Sequence, residues 1–142
     1  MRSSVVIGRG FNLATSLEWA LKLKELAGVH AQAYSTADFE HGPVASLEDG
    51  GHLLAVRARG PLAADLDALL ARLVDERKVR AIVVADEAPV AGAWLPFPAG
   101  VPEWLSPLVA ILPAQRYVAA VTRARGLDEE RPRGLRKVTL TR

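Results

Sequence analysis

Ser4–His30 reads SVVIGRGFNLATSLEWALKLKELAGVH, and the fold turns on this stretch. Ser4–Gly8 is a short apolar run, rich in β-branched residues and closed by glycine. Such a run predicts a strand buried on both faces, of the kind parallel sheets use. Arg9-Gly10-Phe11-Asn12 is the turn after it. Leu13–His30 then predicts a long helix stopped near Gly28.

The pattern recurs downstream. Ala31–Glu48 is polar and reads as an ordered loop, with one helical turn after Pro43. His52–Arg57 (HLLAVR) predicts a second strand. Gly60-Pro61 opens a helix with proline at its first position. Leu62, Leu66, Leu69, Leu70 and Leu73 form its apolar stripe. Ala81–Ala85 (AIVVA) predicts a third strand. Asp86–Pro107 holds five of the nine prolines, which leaves room only for a short edge strand around Ala93–Leu95. Leu108–Gly126 predicts a last helix, kinked at Pro113. Alternating strands and helices imply an α/β three-layer sandwich around a parallel sheet. Ligands in such folds gather at the carboxyl ends of the strands, which puts the Arg9–Asn12 turn beside any site.

Composition narrows the function. The chain has 142 residues, half of them hydrophobic and 24% charged, enough for one core and unlike a disordered segment. Net charge is only +2, and no basic run is interleaved with aromatics, so nucleic-acid binding has no support. Without cysteine there is no disulfide, thiol catalysis or thiolate metal site. The three histidines, His30, His41 and His52, lack paired spacing, which argues against a metal. Met1–Arg9 reads as a strand, not a signal peptide. No run approaches the roughly 20 apolar residues that cross a bilayer. A cytoplasmic location without membrane association is the expectation.

The first helix carries a narrow polar strip on a mostly apolar surface. At 100° per residue, Thr15, Glu18, Lys22 and Glu25 share an arc of roughly 80°, and Lys24 points elsewhere. The strip reads either as a solvated face with helix-stabilising ion pairs or as the lining of a pocket in which Lys22 tunes Glu25. Periodicity does not separate the two.

The motifs carry the reading further. Ala20-Leu21-Lys22-Leu23-Lys24-Glu25 is followed by Tyr34-Ser35-Thr36 and by Phe39-Glu40-His41-Gly42-Pro43. Gly8-Arg9-Gly10 lies upstream. Gly126-Leu127-Asp128, Arg131-Pro132-Arg133-Gly134-Leu135 and Lys137-Val138-Thr139 lie at the end. Together they resemble the second sugar-isomerase (SIS) domain of glucosamine-6-phosphate synthases and related amino-sugar-phosphate isomerases and deaminases. The resemblance implies a flavodoxin-like SIS fold over residues 1–142, as the C-terminal half of a tandem-SIS protein with an upstream SIS domain. It implies that Glu25 moves a proton between C1 and C2 of the substrate. Lys22 would stabilise the charged intermediate, and His41 would assist ring opening from the neighbouring subunit of a homodimer. Lys137 would engage the open-chain ketose. No cofactor is implied.

The chemistry suits those residue types. Moving a carbonyl along a sugar requires removal of a weakly acidic C–H proton, which a held carboxylate can take and return. Imidazole exchanges protons near neutral pH. An amine can form a Schiff base with a carbonyl. Arg136 and the residues around Lys137 depart from the synthase pattern toward the deaminase-like branch. The chain also carries no glutaminase segment and no Ser/Thr-rich phosphate loop. The expectation is therefore a hexosamine 6-phosphate isomerase or deaminase. The alternatives are a non-catalytic sugar-phosphate-binding or dimerisation module, and the isomerase domain of a glutamine–fructose-6-phosphate aminotransferase.

Overall fold

The computed structural model describes residues 1–135. Five parallel strands form one sheet in the order β2-β1-β3-β4-β5. They are β1 (Ser3–Gly8), β2 (His30–Ser35), β3 (His52–Arg57), β4 (Arg80–Ala85) and β5 (Ala93–Pro96). The helices are α1 (Leu13–Ala27), α2 (Thr36–Glu40), α3 (Ala63–Arg77) and α4 (Ser106–Ala124).

Alternation along the central strands sorts the core into two layers. Val5, Ile7, Leu53, Ala55 and Val83 face the α3 side, where Leu66, Leu69, Leu70 and Leu73 meet them together with Phe39 of α2. Val6, Leu54, Val56 and Val84 face the other side, against Trp19, Ala20 and Leu23 of α1 and Ala110, Ala114 and Val118 of α4. The expected three-layer α/β architecture is present.

The polar stretch after α1 departs from expectation. His30–Ser35 is a strand, not the end of the helix and the start of a loop. Gly28 takes φ +61 and ends α1, and the His30 N–H then donates to the Arg2 carbonyl and opens β2. This strand is an edge, with only Ala31 fully buried, so its sequence HAQAYS carries little of the apolar signal of an inner strand. Thr36–Glu40 is a short helix whose Ser35 Oγ accepts from the Asp38 N–H at 3.0 Å. The turn after Pro43 and the edge strand at Ala93 lie where they were expected. The α3 helix begins at Ala63, two residues after Pro61.

One stretch meets the length and composition of a membrane span, contrary to expectation. An 18-residue window within Glu103–Ala124 reaches a mean hydropathy of 1.2, with 28% of that window buried. Ala110, Ala114 and Val118 of this helix lie in the core against α1 and the sheet.

Candidate functional site

The turn after β1 packs against itself. Asn12 Nδ2 donates to Ser106 Oγ at 2.7 Å, and Thr15 Oγ1 donates to Asn12 Oδ1 at 3.4 Å. Ser16 Oγ donates to the Asn12 carbonyl at 3.1 Å. A Cβ on Gly8 would collide with Ser16 Oγ and come within 2.7 Å of the Asn12 carbonyl, so only glycine fits. Next to it, Arg57 at the end of β3 forks onto Asp67 at 2.9 and 3.3 Å and also reaches Glu87. The Asp86 carboxylate accepts from the Arg59 N–H at 3.0 Å. The hydrogen bonds from Arg57 and Arg59 hold the Glu87 carboxyl below the usual carboxylate range. The crevice between Arg9, Asn12, Arg57 and Glu103 measures only about 20 Å³. That is room for about one water and far below a sugar-sized pocket, so among the described residues this crevice is too small for such a ligand.

The Glu25 carboxylate sits at the other end. The α1 helix runs back from the turn for 15 residues, roughly 22 Å, and delivers its last turn to the amino edge of the sheet. There Lys22 Nζ lies 2.7 Å from Glu25 Oε2 and 3.6 Å from Glu18 Oε1. The hydrogen bond to Glu25 raises the Lys22 pKa, burial opposes it, and the Glu18 charge adds to it. Both side chains are part-buried, 31% exposed for Lys22 and 27% for Glu25. Thr15, the fourth member of the strip, is buried with Asn12 at the far end of the helix. The polar strip therefore belongs to two separate environments.

Glu25 lines an open cleft of about 740 Å³ between the end of α1 and the segment after α4. Arg125, Asp128, Arg131 and Arg133 close its opposite wall. The sequence motif contained Arg131 and Arg133 but assigned them no role, because only the return of the chain after α4 brings them to α1.

His41 lies elsewhere. It follows α2, is exposed, and stands near the carboxyl end of β2 on the layer that Phe39 joins. An ion pair from Arg72 to Glu40 at 2.7 Å ties α2 to α3. Glu25 occupies the opposite layer and the opposite edge, so the sheet stands between the two side chains of one copy. Lys137 falls outside the described residues. Among the described residues, no group of three His, Asp or Glu side chains gathers as a metal site.

Comparison with known proteins decides the family. The model of the SIS domain matches residues 2–91. The chain belongs to the SIS domain family. This SIS chain is 38% identical to the glutamine–fructose-6-phosphate aminotransferase (isomerizing) of Mycobacterium tuberculosis, covering 96% of itself and 23% of that protein. It is 33% identical to the enzyme of the same description from Thermococcus kodakarensis, with the same coverage. The chain thus spans about a quarter of the length of these relatives. Among solved structures, the C-terminal domain of glucosamine-fructose-6-phosphate aminotransferase from Francisella tularensis superposes with a TM-score of 0.79 at 26% identity. That match covers 90% of this chain and 37% of the other. Glucosamine-6-phosphate deaminase from Thermotoga maritima gives 0.69 at 25% identity, over 96% and 40%.

Proposed function

We propose that this SIS domain is the proton-transfer half of an enzyme that interconverts aldose and ketose forms of a hexosamine 6-phosphate, as a glucosamine-6-phosphate deaminase/isomerase. The observation that carries it is the Glu25 carboxylate on the wall of a sugar-sized cleft, with Lys22 Nζ 2.7 Å from it. On the open-chain amino aldose, the Glu25 carboxylate removes the C2 proton, and the electron pair moves toward the C1 oxygen as an enolamine. Lys22 offsets the negative charge that develops there. Return of the proton to C1 gives the ketimine, and water releases ammonia and leaves the ketose. Lys137 is assigned to the open-chain ketose. The cleft wall that carries Arg131 and Arg133 suits an anionic substrate.

His41 is assigned to ring opening in the site of a second copy. Support comes from its exposure and from the sheet that separates it from Glu25 of its own chain. The phosphate loop is assigned to an upstream SIS domain, with this chain as the C-terminal half of a tandem. A homodimer follows from the His41 assignment. In the full-length oligomer, Glu25→Gln should abolish turnover of glucosamine 6-phosphate and leave the circular dichroism spectrum and oligomeric size unchanged. Wild-type turnover by that variant would refute the assignment.

A second reading is favoured by a specific observation, the 38% identity over nearly the whole chain to a glutamine-dependent aminotransferase. In it the domain performs the same C1–C2 proton transfer in the synthetic direction. Product formation from fructose 6-phosphate with glutamine, and not with free ammonia, would select it over the deaminase.

A further inference from the structure

The amino edge carries a second cleft, of about 610 Å³, under the first residues of four strands. Sheet register builds its floor. Ser4 pairs with Ala31, Val5 with Leu53, and His52 with Arg80. The register of Val5 with Leu53 places Ser4 level with His52, so Ser4, His52 and Arg80 form one row across β1, β3 and β4. Neighbours in such a row share a face and stand about 4.8 Å apart. All three line the cleft, and so do Lys24 from the last turn of α1 and Arg2.

The row contains an unanswered donor. Ser4 is 6% exposed, and its Oγ is buried with no hydrogen-bond partner among the described residues. Such a hydroxyl at the base of a cleft is a group a ligand oxygen can satisfy. Among the described residues, no ion pair engages Arg2, Lys24 or Arg80, whereas Asp49 on the same rim is held by Arg77 at 2.9 Å. Glu48 is the other acid lining the cleft. Burial, then the N-terminal ammonium, and then the Arg80 charge push the His52 imidazole below its ordinary range, so it offers a neutral N–H donor there.

The geometry points to an oxyanion site in this cleft, where Ser4, His52 and Arg80 bind the phosphoryl group of a small phosphorylated molecule and Lys24 and Arg2 supply charge from the rim. It is separate from the Glu25 cleft, with which it shares Lys24. An Arg guanidinium donates two parallel hydrogen bonds to such a group, and a hydroxyl and an imidazole complete a ring of donors. The volume lies in the range of small-molecule pockets.

The test is a nuclear magnetic resonance titration of the full-length protein carrying Glu25→Gln, which removes turnover from the readout. The probes are inorganic phosphate and fructose 6-phosphate, followed at the His52 ring proton. A saturable shift with either probe is expected. Tighter binding of fructose 6-phosphate extends the site to the sugar, and equal affinity assigns it to the phosphate alone. Arg80→Gln, an exposed position, should weaken binding about tenfold or more. Arg131→Gln, in the neighbouring cleft, should leave it unchanged. An unmoved His52 resonance, an unaltered affinity in Arg80→Gln, or a loss in Arg131→Gln alone overturns the site. Because no step depends on Glu25 chemistry, failure here leaves the proton-transfer reading standing, and failure of that reading leaves this one standing.

Discussion

At the carboxyl edge of the sheet, the prominent polar groups bond to other parts of the same chain. Asn12, Ser16 and Ser106 bond to one another or to the turn backbone, and Arg57 grips Asp67 and Glu87. Only the Thr36 hydroxyl there is buried without a partner among the described residues. The amino edge is the reverse. Two clefts open there, their walls carry cations outside any described ion pair, and Ser4 is buried unbonded. The difference teaches that a fold's usual ligand edge can be filled by structural bonds, while the open clefts lie at the opposite end of the same helix.

If the carboxyl edge is structural, substitutions there should act on stability. The largest effect is expected from Arg57→Met. Arg57 is 11% exposed, and its removal takes both fork bonds from Asp67 and leaves the 4%-exposed Asp86 with the Arg59 N–H alone. Breaking one side of such a buried network should lower unfolding free energy by about 3 kcal/mol, measured by chemical denaturation. A change under about 1 kcal/mol would undo the structural reading of that edge. Gly8→Ala should cost about 2 kcal/mol by forcing Ser16 and the Asn12 carbonyl apart.

The amino edge should respond in the opposite way. Lys22→Met removes part-exposed ion pairs and should change stability by less than about 1 kcal/mol. Its turnover in the full-length oligomer should nonetheless fall by about tenfold or more. A stability loss that accounts for the whole activity loss would return the polar strip to a purely structural role.

The smallest effect is a pH dependence. Burial, the N-terminal ammonium and Arg80, in that order, lower the His52 pKa below the ordinary value of 6.5. The unfolded chain therefore binds its proton more readily, and stability should fall as pH drops below 6.5, with the loss complete below the folded pKa. Denaturation curves across this window should flatten in His52→Gln. A wild-type slope retained in that variant would remove His52 from the account.

Much of this was legible in the chain. The runs at β1, β3 and β4 are buried on both faces and show as apolar stretches, and the leucine stripe of α3 marks one core layer. The β2 strand was hidden because an edge strand with a polar outer face lacks that pattern. Glu25 stood out through its motif, while its periodicity fitted a solvated face equally well. The residues opposite it, Arg131 and Arg133, lie about a hundred positions away in sequence and reach it only through the path after α4. The Ser4–His52–Arg80 row is a product of strand register, which no single segment encodes.

The central claim is that proton transfer happens at the amino end, on Glu25. The most direct measurement is exchange of the substrate C2 hydrogen with deuterated water, catalysed by the full-length oligomer. Glu25→Gln should lose exchange by at least about a hundredfold, while Asp65→Asn, at the carboxyl edge beside Arg9, should keep it. Exchange at the wild-type rate in Glu25→Gln would contradict the account.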